Sequence, residues 1–188
     1  MEIFTKAEME LRFEELAQKI WKGVVFLHPT DTIYGIGCNA QNEKAVAEVR
    51  KIKDRPDTPF SVWAPSVEWI KKNCVVSKEA EEWLKKLPGP YTLILKLKDK
   101  NAVAKNVAPK QNTLGVRIPL HWFSKVIAEL NLPLITTSVN KSGLPFMTSL
   151  EDLDKEIENQ VEFIVYEGEK VARPSKIIDL VKGVEKER

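Results

Sequence analysis

The sequence is poor in the residues that build metal and covalent chemistry, with two cysteines and two histidines among 188 residues. Cys38 and Cys74 stand far apart without a Cys-x-x-Cys spacing, and His28 and His121 cannot complete a zinc site of the usual kinds. Both cysteines therefore read as reduced thiols. Neither sign of charge is in excess, with 29 Lys plus Arg against 27 Asp plus Glu. That balance excludes the strong positive field of a dedicated nucleic-acid binder, so any basic site must be local. No apolar run approaches the ~20 residues needed to cross a bilayer, and the opening MEIFTKAEMELRF has no apolar segment ahead of a small-residue cleavage site. The expectation is a protein of the cytoplasm with no membrane partner.

Missing motifs narrow the chemistry further. No Gly-x-x-x-x-Gly-Lys-Ser/Thr stretch occurs, so a phosphate-cradling P-loop is absent. Gly35 to Ala40 formally matches a dinucleotide fingerprint, but it does not directly follow a strand, and no acidic residue ends the next strand to hold a ribose. Neither histidine lies in a Gly-x-Ser-x-Gly setting, and His28 reads as a partly buried structural ring beside a turn.

What is present reads as α/β. Thr5 and Glu8 form a capping box ahead of Met9, Phe13, Leu16 and Ile20 at helical spacing, which predicts one amphipathic helix ending at Gly23. Val24 to Leu27 reads as a buried strand leading into the loop HPTDTIYGIGCNA. Glu43 to Lys53 reads as a helix stopped by Pro56 and Pro59, which puts Lys53 and Arg55 at its exit. Further strands are predicted at Phe60 to Ala64, Tyr91 to Lys98, Thr113 to Ile118, Leu134 to Thr137, Phe163 to Tyr166 and Lys176 to Leu180. Helices fit at Val67 to Asn73, Ser77 to Leu87, His121 to Leu130 and Leu150 to Asn159. The mixture of βα alternation and consecutive strands predicts one α/β domain over residues 1–188, a mixed sheet covered by helices.

Four stretches gather hydroxyls, cations and an amide in loops: Pro29-Thr30-Asp31-Thr32, Lys53-Asp54-Arg55-Pro56, Val116-Arg117-Ile118-Pro119 and Thr136-Thr137-Ser138-Val139-Asn140. Arg offers a planar fork to a carboxylate or phosphate, and Lys a compact charge that can follow a phosphate. A lone surface cation is usually only solvated, but four such stretches together suit an anionic, polar ligand.

With these motifs the chain resembles the YrdC-like family of threonylcarbamoyl-AMP synthases, in the short form made of the catalytic domain alone. HPTDTIYGIGCNA, KDRP, LPGPYTLIL, LGVRIPLH and TTSVNKSG are similar, in order, to the family's successive elements. The resemblance implies a twisted mixed sheet flanked by helices with a polar, partly basic concave cleft. It implies an enzyme, a nucleotidyltransferase joining L-threonine, bicarbonate and ATP into threonylcarbamoyl-AMP for tRNA modification. Magnesium is expected with the triphosphate, and tRNA and the threonylcarbamoyl-transferring complex are expected partners. By similarity, Lys53 and Arg55 would be catalytic and bind phosphates, with Thr113, Ser138, Asn140 and Arg188 also on the nucleotide side. Thr30, Trp63, Arg117, Thr136 and Ser175 would hold threonine. Trp63 stands where many members carry His, and Lys176 replaces a Thr, which leaves open a paralogue that keeps the fold without making the adenylate. Lysines at 96, 98, 100, 105 and 110 leave open an RNA-binding protein of the same fold.

Overall fold

The computed structural model describes residues 1–186. The chain opens with β1 (Glu2–Phe4), α1 (Lys6–Leu11) and α2 (Phe13–Lys22). The predicted capping box is present: Thr5 Oγ1 accepts from Glu8 N at 3.3 Å, and Glu8 Oε2 accepts from Thr5 N at 2.7 Å. The expected single helix instead breaks at Arg12, where φ is −102° and ψ 22°. Arg12 there sits over the Phe4 ring and pairs with Glu2 and Glu15, tying the break to an edge strand that the sequence pattern did not predict.

Next come β2 (Phe26–His28), β3 (Gly35–Gly37) and α3 (Glu43–Ile52). The Gly35 to Gly37 stretch is thus a strand antiparallel to β2 and not the start of a helix. Asn42 caps α3 by accepting from Lys44 N and Ala45 N. Then follow β4 (Ser61–Trp63), α4 (Val67–Asn73), α5 (Lys78–Leu84), β5 (Tyr91–Lys96), β6 (Thr113–Arg117), α6 (Phe123–Leu130) and β7 (Leu134–Ser138). The predicted helix at 150–159 resolves into a 3-10 turn (Leu150–Asp152) and a short α7 (Lys155–Glu158). The chain closes with β8 (Phe163–Val165), β9 (Lys176–Asp179) and β10 (Val184–Lys186).

The strands form one mixed sheet in the order β1-β8-β2-β3-β7-β4-β6-β5-β9-β10. Period-two alternation sends successive side chains to opposite faces. One face carries Leu27, Ile36, Ile135, Val62, Val116, Leu93 and Ile178, all buried against a core that includes Val46 and Val49 of α3, Ile70 of α4 and Leu84 of α5. On the other face Phe26, Trp63, Leu134 and Phe163 form a second core with Met9, Leu16, Ile20 and Phe123 from α1, α2 and α6. Fully burying one such aliphatic or aromatic side chain contributes about 1.5–3 kcal/mol. The second core covers only part of its face, and the remainder is left to small and hydroxyl-bearing residues.

Candidate functional site

Helix α3 ends at Lys53, whose backbone N–H still bonds to Val49 O, and Asp54 then turns the chain with a left-handed φ of 48°. The Lys53 side chain is 2% exposed. Its Nζ donates to Ser138 O and Asn140 Oδ1, both at 2.6 Å, joining the end of α3 to the end of β7. Ser138 Oγ donates to the same Asn140 Oδ1 at 2.6 Å, and Asn140 Nδ2 donates to Leu144 O. Lys53 thus joins one hydrogen-bonded group with Ser138 and Asn140, 85 and 87 positions further along the chain.

Beyond β7 lies a narrow hollow of about 20 Å³, lined by Thr30, Tyr34, Gly35, Arg117, Thr136, Ser138 and Ser175 among others. The Arg117 guanidinium is buried and donates from Nη2 to Asp31 Oδ1 at 2.7 Å, while Asp31 Oδ2 accepts from Leu120 N. The Thr30 hydroxyl donates to Ile33 O at 2.7 Å and accepts from Thr32 N, so it shapes its own turn. Tyr34 closes one wall: its ring stacks on Tyr166, and its hydroxyl donates to Gly168 O and accepts from Glu167 N. Glu167 is in turn held by His121, Trp122 and Lys170.

A second hollow, of about 200 Å³, is lined by Arg55, Phe60, Ser61, Thr92, Thr113, Gly115 and Ile177 among others. It adjoins the first. Thr92 bonds to Ser175 hydroxyl to hydroxyl at 2.9 Å, and Ser61 pairs in register with Thr136 and Gly115. Arg55 donates to Pro59 O at 2.8 Å and lies over the Phe60 ring. Gly115 is required here, because a Cβ would come within 2.6 Å of Ser61 Oγ. A larger hollow, about 780 Å³, lies between α1, α2 and α6 and is lined by none of the sequence-predicted site residues.

The structure therefore brings Lys53, Ser138 and Asn140 into one group, Thr30, Arg117, Thr136 and Ser175 around one hollow, and Arg55 and Thr113 around the next. It does not bring Trp63 to either lining. That ring is fully buried, edge-on to His28 and packed against Phe123. Arg188 lies outside the described residues. His28 is likewise fully buried, stacked on Phe123 at 5.5 Å, and burial lowers its pKa to about 3, which keeps it neutral.

Sequence reasoning passed over Asp31 as the partner of Arg117, Ser61 and Thr92 on the polar face, and Arg50. The last left a signal. Arg50 lies one turn after Val46 and one turn before Lys53, so a charge stands in a stripe that otherwise faces the core. Among the described residues no cluster of three or more His, Cys, Asp or Glu is placed to hold a metal ion. No helix among them is long and apolar enough to cross a membrane.

Comparison with known proteins agrees with this architecture. A Methanocaldococcus jannaschii protein provisionally named threonylcarbamoyl-AMP synthase is 38% identical over 173 residues, covering 89% of this chain and 79% of that protein. The Pyrococcus abyssi threonylcarbamoyl-AMP synthase is 32% identical over 169 residues, and the aligned part spans 86% of this chain but only 48% of that protein. The crystal structure of P. abyssi Sua5 with L-threonine superposes with a TM-score of 0.86 at 29% identity, over 98% of this chain and 55% of the other. Escherichia coli YciO superposes with a TM-score of 0.85 over the full chain and 94% of its own length, at 24% identity, which speaks for the fold alone. The Sua5_yciO_yrdC family model, described as telomere recombination, matches residues 18–187, and the chain belongs to that family.

Proposed function

We propose that this chain makes threonylcarbamoyl-adenylate and pyrophosphate from L-threonine, bicarbonate and ATP, the activated intermediate for N6-threonylcarbamoyladenosine in tRNA. One observation carries the reading. Lys53, at the end of α3, reaches Ser138 and Asn140 beside two adjoining hollows, one lined by Arg117 and the other by Arg55. The two hollows form a single cleft, with threonine on the Arg117 side and nucleotide on the Arg55 side.

In this mechanism the threonine amine takes up bicarbonate as a carbamate, with loss of water. A carbamate oxygen then attacks the α-phosphorus, and the bond to the bridging oxygen breaks with its electron pair leaving on pyrophosphate. Little covalent work falls to the protein, which acts by alignment and by cations set where charge develops. Lys53 and Arg55 meet the phosphates, with Thr113, Ser138 and Asn140 on the same side. Arg117 takes the threonine carboxylate, its plane fixed beforehand by Asp31, and Thr30, Thr136 and Ser175 complete that wall. Magnesium arriving with the triphosphate would rest on phosphate oxygens and water, which suits a site with few clustered carboxylates. The product passes to a threonylcarbamoyl-transferring enzyme acting on tRNA. Gln111 and Thr113 also line a groove bearing Lys100, Lys105, Lys110 and Lys182, whose charges suit the phosphates of that RNA.

A second reading is a paralogue with this fold and cleft but no synthase activity. It draws on the burial of Trp63 and on Lys176 pairing with Glu185. Incubation with labelled ATP, bicarbonate and threonine separates the two, since synthesis requires threonine-dependent pyrophosphate release. Its absence in folded protein decides for the paralogue. With activity in hand, Arg117→Ala is expected to raise the threonine KM about tenfold or more while the ATP KM moves less than about twofold, the loss of one charge-assisted carboxylate contact. A defect confined to ATP contradicts the placement of threonine.

A further inference from the structure

Arg50 is 9% exposed, on the core-facing side of α3, and its guanidinium makes bonds that belong to no regular element. Nε donates to Asn106 O at 2.8 Å, Nη1 to Arg55 O at 2.8 Å and Thr58 O at 3.1 Å, and Nη2 to Val107 O at 3.1 Å. All four acceptors are backbone carbonyls. Two of them lie in the loop between α3 and β4, which Pro56 and Pro59 and the left-handed Asp54 keep out of helix or ladder pairing. The Arg50 guanidinium also lies 4.5 Å from the Phe60 ring centroid, and Arg55 lies 5.3 Å from the same centroid. Two guanidinium groups thus share one ring, one buried behind the loop and the other lining the hollow in front of it.

We infer that Arg50 is a positioning residue for Arg55: it clamps the loop from behind, so that Arg55 meets a triphosphate without first being ordered. The inference rests on the nucleotide reading of that hollow. One of its four acceptors is the carbonyl of Arg55 itself, and Arg55 N donates back to Arg50 O at 3.0 Å, so Arg50 holds the Arg55 backbone on both sides. It also joins the loop to the 106–107 segment, which bonds the next strand's approach through Phe60 N to Val107 O. Only a planar fork reaches carbonyls on several sides at once, and a lysine ammonium at this position satisfies fewer of them. Freezing the loop beforehand spares the ordering cost at the moment of binding.

The test is amide hydrogen exchange across the full chain for wild type, Arg50→Lys and Arg50→Met, paired with titration of a non-hydrolysable ATP analogue. Arg50→Lys should speed exchange at residues 54–60 at least tenfold while β5 and β6 keep their protection, and should weaken analogue binding about tenfold. In an Arg55→Ala background the same change should alter binding less than about twofold, because the group it positions is gone. Unchanged exchange at 54–60, or exchange that rises equally throughout, overturns the positioning role, as does full additivity with Arg55→Ala. Should Arg50→Met fail to fold, the lysine variant still decides. Wild type that shows no analogue binding refutes the nucleotide reading instead, and the exchange pattern then judges the clamp separately.

Discussion

Strands β4, β6 and β7 show two chemistries in one set of backbones. Val62, Val116 and Ile135 pair across the strands and are all fully buried, whereas their immediate neighbours Ser61, Gly115 and Thr136 pair across the same strands and line the hollows. A shift of one residue separates a row that holds the sheet to its helices from a row that lines the hollows. Stability and recognition are therefore interleaved residue by residue, and substitutions on the two rows should fail in different ways.

The largest effect is expected on the apolar row. Leu93→Ala, opposite Val116, should cost about 2–5 kcal/mol of unfolding free energy, read from urea titration, while the protein that remains folded keeps its synthesis rate. Gly115→Ala tests the polar row from below. Its Cβ would stand 2.6 Å from Ser61 Oγ, and such overpacking costs about 1–3 kcal/mol. Adding Ser61→Gly should recover most of that loss, and a double variant no better than the single would deny that this contact is the cause. Lys53→Ala should lower kcat/KM for pyrophosphate release at least tenfold, about 1.4 kcal/mol, with cooperative unfolding retained. An unchanged rate would remove Lys53 from the chemistry and dissolve the contrast between the rows.

The smallest effect is one of pH. Burial holds the folded His28 near 3, below its ordinary 6.5, so the unfolded chain takes up this proton first as the solution is acidified. Stability linked to His28 is complete above pH 6.5 and drains away as pH falls from 6.5 toward 3. His28→Phe should therefore show a smaller drop in the urea midpoint between pH 7.5 and 4.5 than wild type. Equal drops in both proteins would show that other groups account for it.

Much of this was legible in the sequence. The strands at 91, 113, 134, 163 and 176 were marked by alternation or apolar runs, and α3 by its stripe and its proline stop. Strands β1, β3 and β10 were not, for two reasons. Three residues carry too little pattern, and Gly35 and Gly37 are there because the His28 ring occupies the space their side chains would need, a tertiary demand with no local trace. The site was legible as a set of residue types and not as a geometry. Loop cations and hydroxyls announced a polar ligand, but the salt bridge from Arg117 to Asp31 spans 86 positions, and the Thr92 to Ser175 contact spans 83. Trp63 differs again: the family resemblance implies a threonine contact there, whereas the ring packs in the second core and lines neither hollow.

Gly35, Gly115, Ser61, Ser138, Thr92 and Thr136, which line the two hollows, extend no more than two heavy atoms beyond Cβ, so where they stand main chain sets the depth. Tyr34 and Arg117 line the first hollow beside them, and Arg55 and Phe60 the second. Those longer side chains, with the turn at 29–32 and the loop at 54–59, are the parts that substitution can reshape without moving a strand.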